Sequence, residues 1–268
     1  MVITGNFYGD EVKVGTTTHP NANQRHQGFV AWLNANGGYI RSIALTGTDV
    51  STSVRANVNI TDVTLTNRGI VVSVDYVGKL NVNGTELNTT TNQQDSVLIG
   101  YSTAGAYQWH TQITGTNTES IGRVITDNED NIVALGGFGT NLSLGGETIT
   151  VRTANASNAL MLKFANDGQY VPDSAYTIGT TSTNNDNKFT SAVATDDGLL
   201  ISGWFYSADI DTNGGTTNNM KTKGQGDGIL IKLLEDGTVD WAKQIGGTTI
   251  DAANAVAQLN DGTYVVAG

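Results

Sequence analysis

The chain has 268 residues, no cysteine, and a formal charge of −11 from 25 acidic and 14 basic side chains. That balance argues against nucleic acid or an anionic membrane as partner, since both require Lys/Arg clusters, and it leaves no disulfide to support the fold. Only 15% of residues are charged and 33 are glycine, which points to sheets and turns, in one large or two small all-β domains. No apolar run reaches the roughly 18 residues that a membrane-spanning helix needs.

Met1 leads directly into an apolar strand, Val2-Ile-Thr-Gly-Asn-Phe7, without a basic and then hydrophobic leader. The chain is therefore expected to begin inside a longer parent. Glu11-Val-Lys-Val-Gly15 and a polar loop carrying His19, Pro20, Arg25 and His26 come next. A hairpin follows, with the arm Gly28-Phe-Val-Ala-Trp-Leu33 and the turn Asn34-Ala-Asn-Gly37. A strand ending near Arg68-Gly69 closes this first repeat.

The same order then recurs. Further hairpins start at Asp95-Ser-Val-Leu-Ile, Asn158-Ala-Leu-Met-Leu and Asp227-Gly-Ile-Leu-Ile, with turn glycines Gly105, Gly168 and Gly237. Each is preceded by a strand like Val2–Phe7: Ile70–Tyr76, Ile132–Phe138 and Leu199–Phe205, with a fifth copy at Thr263–Gly268. Aligned on Gly5, Val74, Gly136, Gly203 and Gly268, these copies are 69, 62, 67 and 65 residues apart. A near-constant period of this length marks a modular array. The repeats span about 2–69, 70–131, 132–198 and 199–262, with 263–268 opening a fifth, and each is expected to supply four or five short strands. In the last hairpin, strict alternation places Val239, Trp241 and Lys243 on one face.

Asp227-Gly-Ile-Leu-Ile-Lys-Leu, then Asp-Gly-x-x-x-Trp-Ala-Lys-Gln-Ile-Gly-Gly247, then Asp251-Ala-Ala-Asn-Ala-Val-Ala and Asp261-Gly-Thr-Tyr-Val-Val-Ala-Gly268, resemble the bacterial β-propeller repeats of the SBBP type. The resemblance is strongest over 199–268 and weakest over 1–69, where Arg41 stands in the tryptophan position; Pro172 does so in the third repeat. It implies an all-β, β-propeller-like array of about four antiparallel blades, part of a longer propeller. It also implies a secreted or cell-surface setting and a module that binds a glycan or a protein. No catalytic residue belongs to the motif, so no enzyme is expected. A structural spacer, or a unit that self-associates through exposed edge strands, is a second reading. A propeller hydrolase or lyase with an unrecognised site is a third, because such sites assemble from distant blades.

Three candidate sites emerge from the residues themselves. Trp32 stands where Gly100, Lys163 and Lys232 stand in the other repeats, so it is a candidate exposed platform for a sugar ring, with Arg25 and His26 as hydrogen-bond donors; the bland alternative is packing against the first loop. Asp209, Asp211 and Asn213 spell the opening of a calcium loop, but Met220 takes the twelfth position instead of a bidentate Glu, and the repeat already calls for a polar turn there. Glu129-Asp130, Asp196-Asp197 and Asn260-Asp261 recur once per repeat, first as turn formers and second as a cation-binding rim. Trp109 and Trp241, which repeat with the module, are expected to pack between sheets.

Overall fold

The computed structural model describes residues 1–89, 92–152, 156–179, 186–206, 210–211 and 219–268. Every regular element among them is a β-strand. Three four-stranded antiparallel sheets run as simple up-and-down meanders. The second sheet comprises Asn57–Thr66, Gly69–Val77, Asp95–Ser102 and Tyr107–Ile113. The third comprises Glu119–Thr126, Ile132–Phe138, Asn158–Phe164 and Tyr176–Ile178. The fourth comprises Lys188–Thr195, Gly198–Phe205, Asp227–Leu234 and Val239–Ile245. The first sheet holds the equivalents of strands two to four, Val2–Phe7, Gln27–Leu33 and Tyr39–Leu45. The fifth holds those of strands one and two, Ala255–Gln258 and Tyr264–Ala267. Each sheet thus joins the closing strand of one sequence repeat to the next repeat.

A small ribbon of two strands lies between the second and third strand of each of the first four sheets, for example Lys79–Val82 with Thr85–Asn88, to which Gly47–Thr48 adds a third strand. Its tight reversal at Asn83-Gly84 has both residues at positive φ, 51° and 87°, the conformation that suits a two-residue hairpin. The chain divides into two compact units, Met1–Ser120 and Ile121–Gly268.

Burial shows why the sheets form. The inner strands Gly69–Val77, Asp95–Ser102, Ile132–Phe138 and Asp227–Leu234 are buried along all or nearly all their length, so neither of their faces meets water. Their sequences are accordingly continuous apolar runs without alternation. In the first compact unit, Val30 and Trp32 of the first sheet share one core with Val72, Val97 and Tyr101 of the second. In the second unit the fourth sheet is covered twice. Ile201, Ile229 and Ile231 pack against Leu135 and Met161 of the third sheet, while Leu200 and Leu230, on the opposite face, pack against Ala253 and Val256.

One turn geometry recurs between the third and fourth strands of the first four sheets and between the first and second strands of the third and fifth. In the turns 34–38, 102–106, 127–131, 165–169, 234–238 and 259–263, the first residue's N–H donates to the fifth residue's carbonyl and the fourth's N–H to the first's. The fourth residue has positive φ and is glycine everywhere except Asp130. This is a three-residue loop ending in a left-handed residue. An extra residue then bulges from the fourth strand: Ile40, Gln108 and Asp240 are skipped in the pairing. The bulge at Asp240 corrects the alternation read from sequence. Val239 packs toward the third sheet, and Trp241 toward the fifth, because the skipped residue reverses the facing order.

A polar residue opens every third strand: Gln27, Asp95, Asn158 and Asp227, all 6% exposed or less. Each binds backbone where the chain enters or leaves the hairpin. The Gln27 amide donates to the Gly47 carbonyl at 3.2 Å and accepts from its N–H at 2.6 Å. Asn158 accepts from the Arg152 N–H at 3.3 Å and donates to the Ala156 carbonyl at 2.8 Å. Asp227 accepts from the Lys223 N–H and from the Gln244 amide, both at 2.6 Å. Glycine follows the fourth strand opposite these groups because a Cβ at Gly179 or Gly246 would collide with Asn158 or Asp227.

The turn geometry gives a direct prediction. Gly237, at φ +80° with open space around it, tolerates a larger side chain sterically but not conformationally. Gly237→Val should therefore cost about 1–2 kcal/mol in urea unfolding and Gly237→Asn distinctly less; equal effects would contradict the left-handed assignment.

Candidate functional site

The third repeat departs from its sisters at one place, and a cleft opens there. Its fourth strand is only three residues, Tyr176–Ile178, against seven in the second and fourth sheets. Pro172 stands where Trp109 and Trp241 stand, and it lacks the N–H that would extend the ladder. Trp241 fills the space between its own sheet and the next; the pyrrolidine ring of Pro172 cannot. The result is a cleft of about 440 Å³ between the third and fourth sheets, at the end where the turns lie, within the range of small-ligand sites. Met161, Val171, Pro172, Leu199 and Leu233 supply its apolar lining, and its rim is polar.

Acidic groups dominate the rim. Asp127, Glu129, Asp173, Glu235 and Asp236 line it together with a single lysine, Lys163. Lys163 Nζ lies 3.0 Å from Asp127 Oδ2, whose side chain is 9% exposed. Burial alone would raise the Asp127 pKa, but hydrogen bonds from Asn131 and Lys163 outweigh it and hold the carboxyl below its ordinary value. The carboxylate also accepts the N–H groups of Glu129 and Asn131, so it is fully engaged in its own turn.

Lys163 has a counterpart in Lys232, which is 3% exposed and reaches Asp197 at 2.7 Å. In both sheets a lysine on the third strand is tied to the turn between the first and second. The second sheet has Asn67-Arg68 in that turn, without a carboxylate, and glycine at the lysine position, where the Trp109 ring lies across Gly100.

Trp32 occupies this same position in the first sheet, and the structure places it inside. It is 5% exposed, its ring meets Tyr101 edge-on at 5.9 Å, and the Arg41 guanidinium lies 5.3 Å over it. The expected exposed platform is thus an element of inter-sheet packing, and its face is already covered by a cation. Arg25 is paired with Asp49 at 2.9 Å, and the His26 ring lies 5.2 Å from Tyr8. Trp32 and His26 are six residues apart along one strand, about 20 Å, so the structure does not bring the three residues together. Asp209 and Asn213 lie outside the described residues, as does the side chain of Asp211. The recurring acidic turns act first through backbone geometry: the Thr263 N–H donates to Asp261 at 2.9 Å, and Asp130 adopts φ 65°.

Two polar clusters were not legible in the sequence. His19 Nε2 lies 2.7 Å from Ser42 Oγ, but the Tyr39 hydroxyl shares that oxygen at 2.9 Å and also bonds Thr17 at 2.5 Å. No carboxylate orients the imidazole, so the chain of hydroxyls pins the first ribbon to its sheet and lacks the third member of a nucleophilic triad. The second cluster is Asp95 with Glu119, 6% and 0% exposed. Burial raises the Asp95 pKa to about 6, against the opposing effect of hydrogen bonds with the Gly115 N–H and Glu119.

Comparison with protein-family models gives no match, and comparison with curated proteins gives none.

Asp95 and Asp127 pull stability in opposite directions with pH. The lowered Asp127 pKa contributes stability at neutral pH that is lost in acid, whereas the raised Asp95 pKa makes the folded state lose stability as pH rises from about 4 toward 6. Asp95→Asn, the residue that the third repeat carries as Asn158, should flatten the decline and stabilise the protein at pH 7 by on the order of 2 kcal/mol. Urea unfolding at pH 4.5 and 7 measures this, and an unchanged difference between the two would contradict it.

Proposed function

We propose that the chain is a non-enzymatic binding module, built of β-propeller-type blades and working outside the cell, whose ligand site is the cleft between the third and fourth sheets. The observation that carries the reading is the cleft itself. It arises where the third repeat carries Pro172 in the place of Trp241, which fills the corresponding space between the fourth and fifth sheets, and it combines an apolar floor with a polar rim, as ligand sites do. The blade reading is supported by three meander sheets that share one turn, by a bulge that recurs in the first, second and fourth sheets, and by sheets stacked face to face inside each compact unit. The extracellular setting rests on the resemblance of the repeats to those of bacterial surface proteins.

The chemistry at the rim also favours binding over catalysis. Asp127 and Asp236 are held by their own turns, Asp236 accepting the N–H and hydroxyl of Thr238 at 2.9 and 2.6 Å, and among the described residues no histidine lines the cleft. A general acid–base pair facing a common substrate position is not supplied by these groups.

Fragment mapping by NMR tests the site. Small-molecule fragments should shift the methyl resonances of Met161, Leu199 and Leu233 selectively, and Pro172→Trp, which refills the space, should abolish those shifts while leaving the protein folded. Fragments that scatter over the surface, or that ignore the Pro172→Trp change, would contradict the proposal.

A further inference from the structure

We infer that the cleft takes the side chain of a lysine or arginine from a basic peptide segment of a partner protein. The inference rests on the cleft being the binding site and adds what kind of ligand enters it.

Charge is the first argument. Five carboxylates and one lysine line the cleft, a formal balance of −4, on a chain whose net charge is −11. Asp127 is neutralised by Lys163, but Asp173 and Glu235 are exposed, and among the described residues their carboxylates make no ion pair or hydrogen bond. They come from opposite walls, Asp173 from the segment after the third sheet's hairpin and Glu235 from the fourth sheet's turn. A cation between them meets both.

Shape is the second. The floor is aliphatic and thioether surface, including Met161, Leu199 and Leu233. Lysine and arginine bury an apolar stem and present a charged head, which matches an aliphatic floor under an acidic rim, and the flexible methionine adapts to either stem. No aromatic ring among the described residues lines the cleft, so they offer no flat apolar surface on which a sugar ring stacks. Among the described residues no three acidic or histidine side chains converge closely enough to hold a metal ion.

The test is titration of the full chain with acetyl-Ala-Lys-Ala-Lys-Ala-amide, its norleucine counterpart and a glucosamine tetramer, read by NMR at Met161, Leu199 and Leu233. The lysine peptide should bind at these residues, weaken at least 10-fold on raising sodium chloride from 50 to 500 mM, and weaken at least 10-fold in the double variant Asp173→Asn, Glu235→Gln. Both positions are exposed, and thermal unfolding verifies that the variant folds. Equal binding of the norleucine peptide, or preference for the glucosamine tetramer, would overturn the inference. If fragments occupy the cleft while the lysine peptide does not, this inference fails and the binding-module reading stands; if nothing occupies the cleft, both fail.

Discussion

The inner strands of these sheets have no face to give to water. Residues 227–233 are buried without a break, and a strand of that kind is stable only if apolar surface covers both sides of its sheet. The fourth sheet shows the solution complete within one compact unit, with Ile229 and Ile231 facing the third sheet and Leu230 facing the fifth. Burial of one such aliphatic side chain is worth roughly 1.5–3 kcal/mol, so a sheet left bare on one side would forfeit several such contributions. Repetition follows from this constraint: each copy is the cover for its neighbour, as in other arrays whose stability resides in nearest-neighbour interfaces.

What varies between repeats is placed where the constraint is weakest, at the turn end of each sheet. The backbone there is fixed by the three-residue loop and by Asp or Gly at its key positions, leaving other side chains free to differ. One position on the third strand reads Trp32, Gly100, Lys163 and Lys232, and its cross-strand neighbour changes with it: Arg41 covers Trp32, and Trp241 pairs with Lys232. The first and fourth sheets thus hold an aromatic and a cation in exchanged places. In the third sheet the aromatic is lost altogether, Lys163 turns to Asp127, and the volume left over is the cleft. The proposed binding surface thus lies where the repeats differ, beside a core that they share.

Much of this was legible in the sequence, for reasons that can be named. Apolar runs bounded by glycine-containing turns fixed the hairpins, because a left-handed residue is required at Gly105, Gly168 and Gly237. The repeat spacing marked where successive sheets recur, but not the small ribbon inside each of the first four. The polar residues that open the third strands were visible as the start of each motif, yet their role was not: Gln27 and Asn158 hold backbone that is distant in sequence. Strict alternation failed at Asp240 because a bulge carries no strong sequence signature. Trp32 was misplaced for a related reason. Its sister residues Lys163 and Lys232 are polar, which suggested exposure, but Lys232 is itself 3% exposed, with a buried stem and an ion-paired head. The cleft was signalled only by Pro172, and its lining comes from turns that meet through stacking and share no linear pattern.

The claim on which the rest depends is that the fourth sheet is covered on both faces, by the sheet before it and the sheet after it, and two adjacent residues of one strand test it. Leu230 and Ile231 point to opposite faces of the fourth sheet and are 8% and 0% exposed. Stability of Leu230→Ala and Ile231→Ala should be measured by urea unfolding. The account predicts that each costs about 2–5 kcal/mol, since each side chain lies in an inter-sheet core. A loss within about 0.5 kcal/mol for Leu230→Ala, as for a surface substitution, would show that this face meets water and would contradict the account.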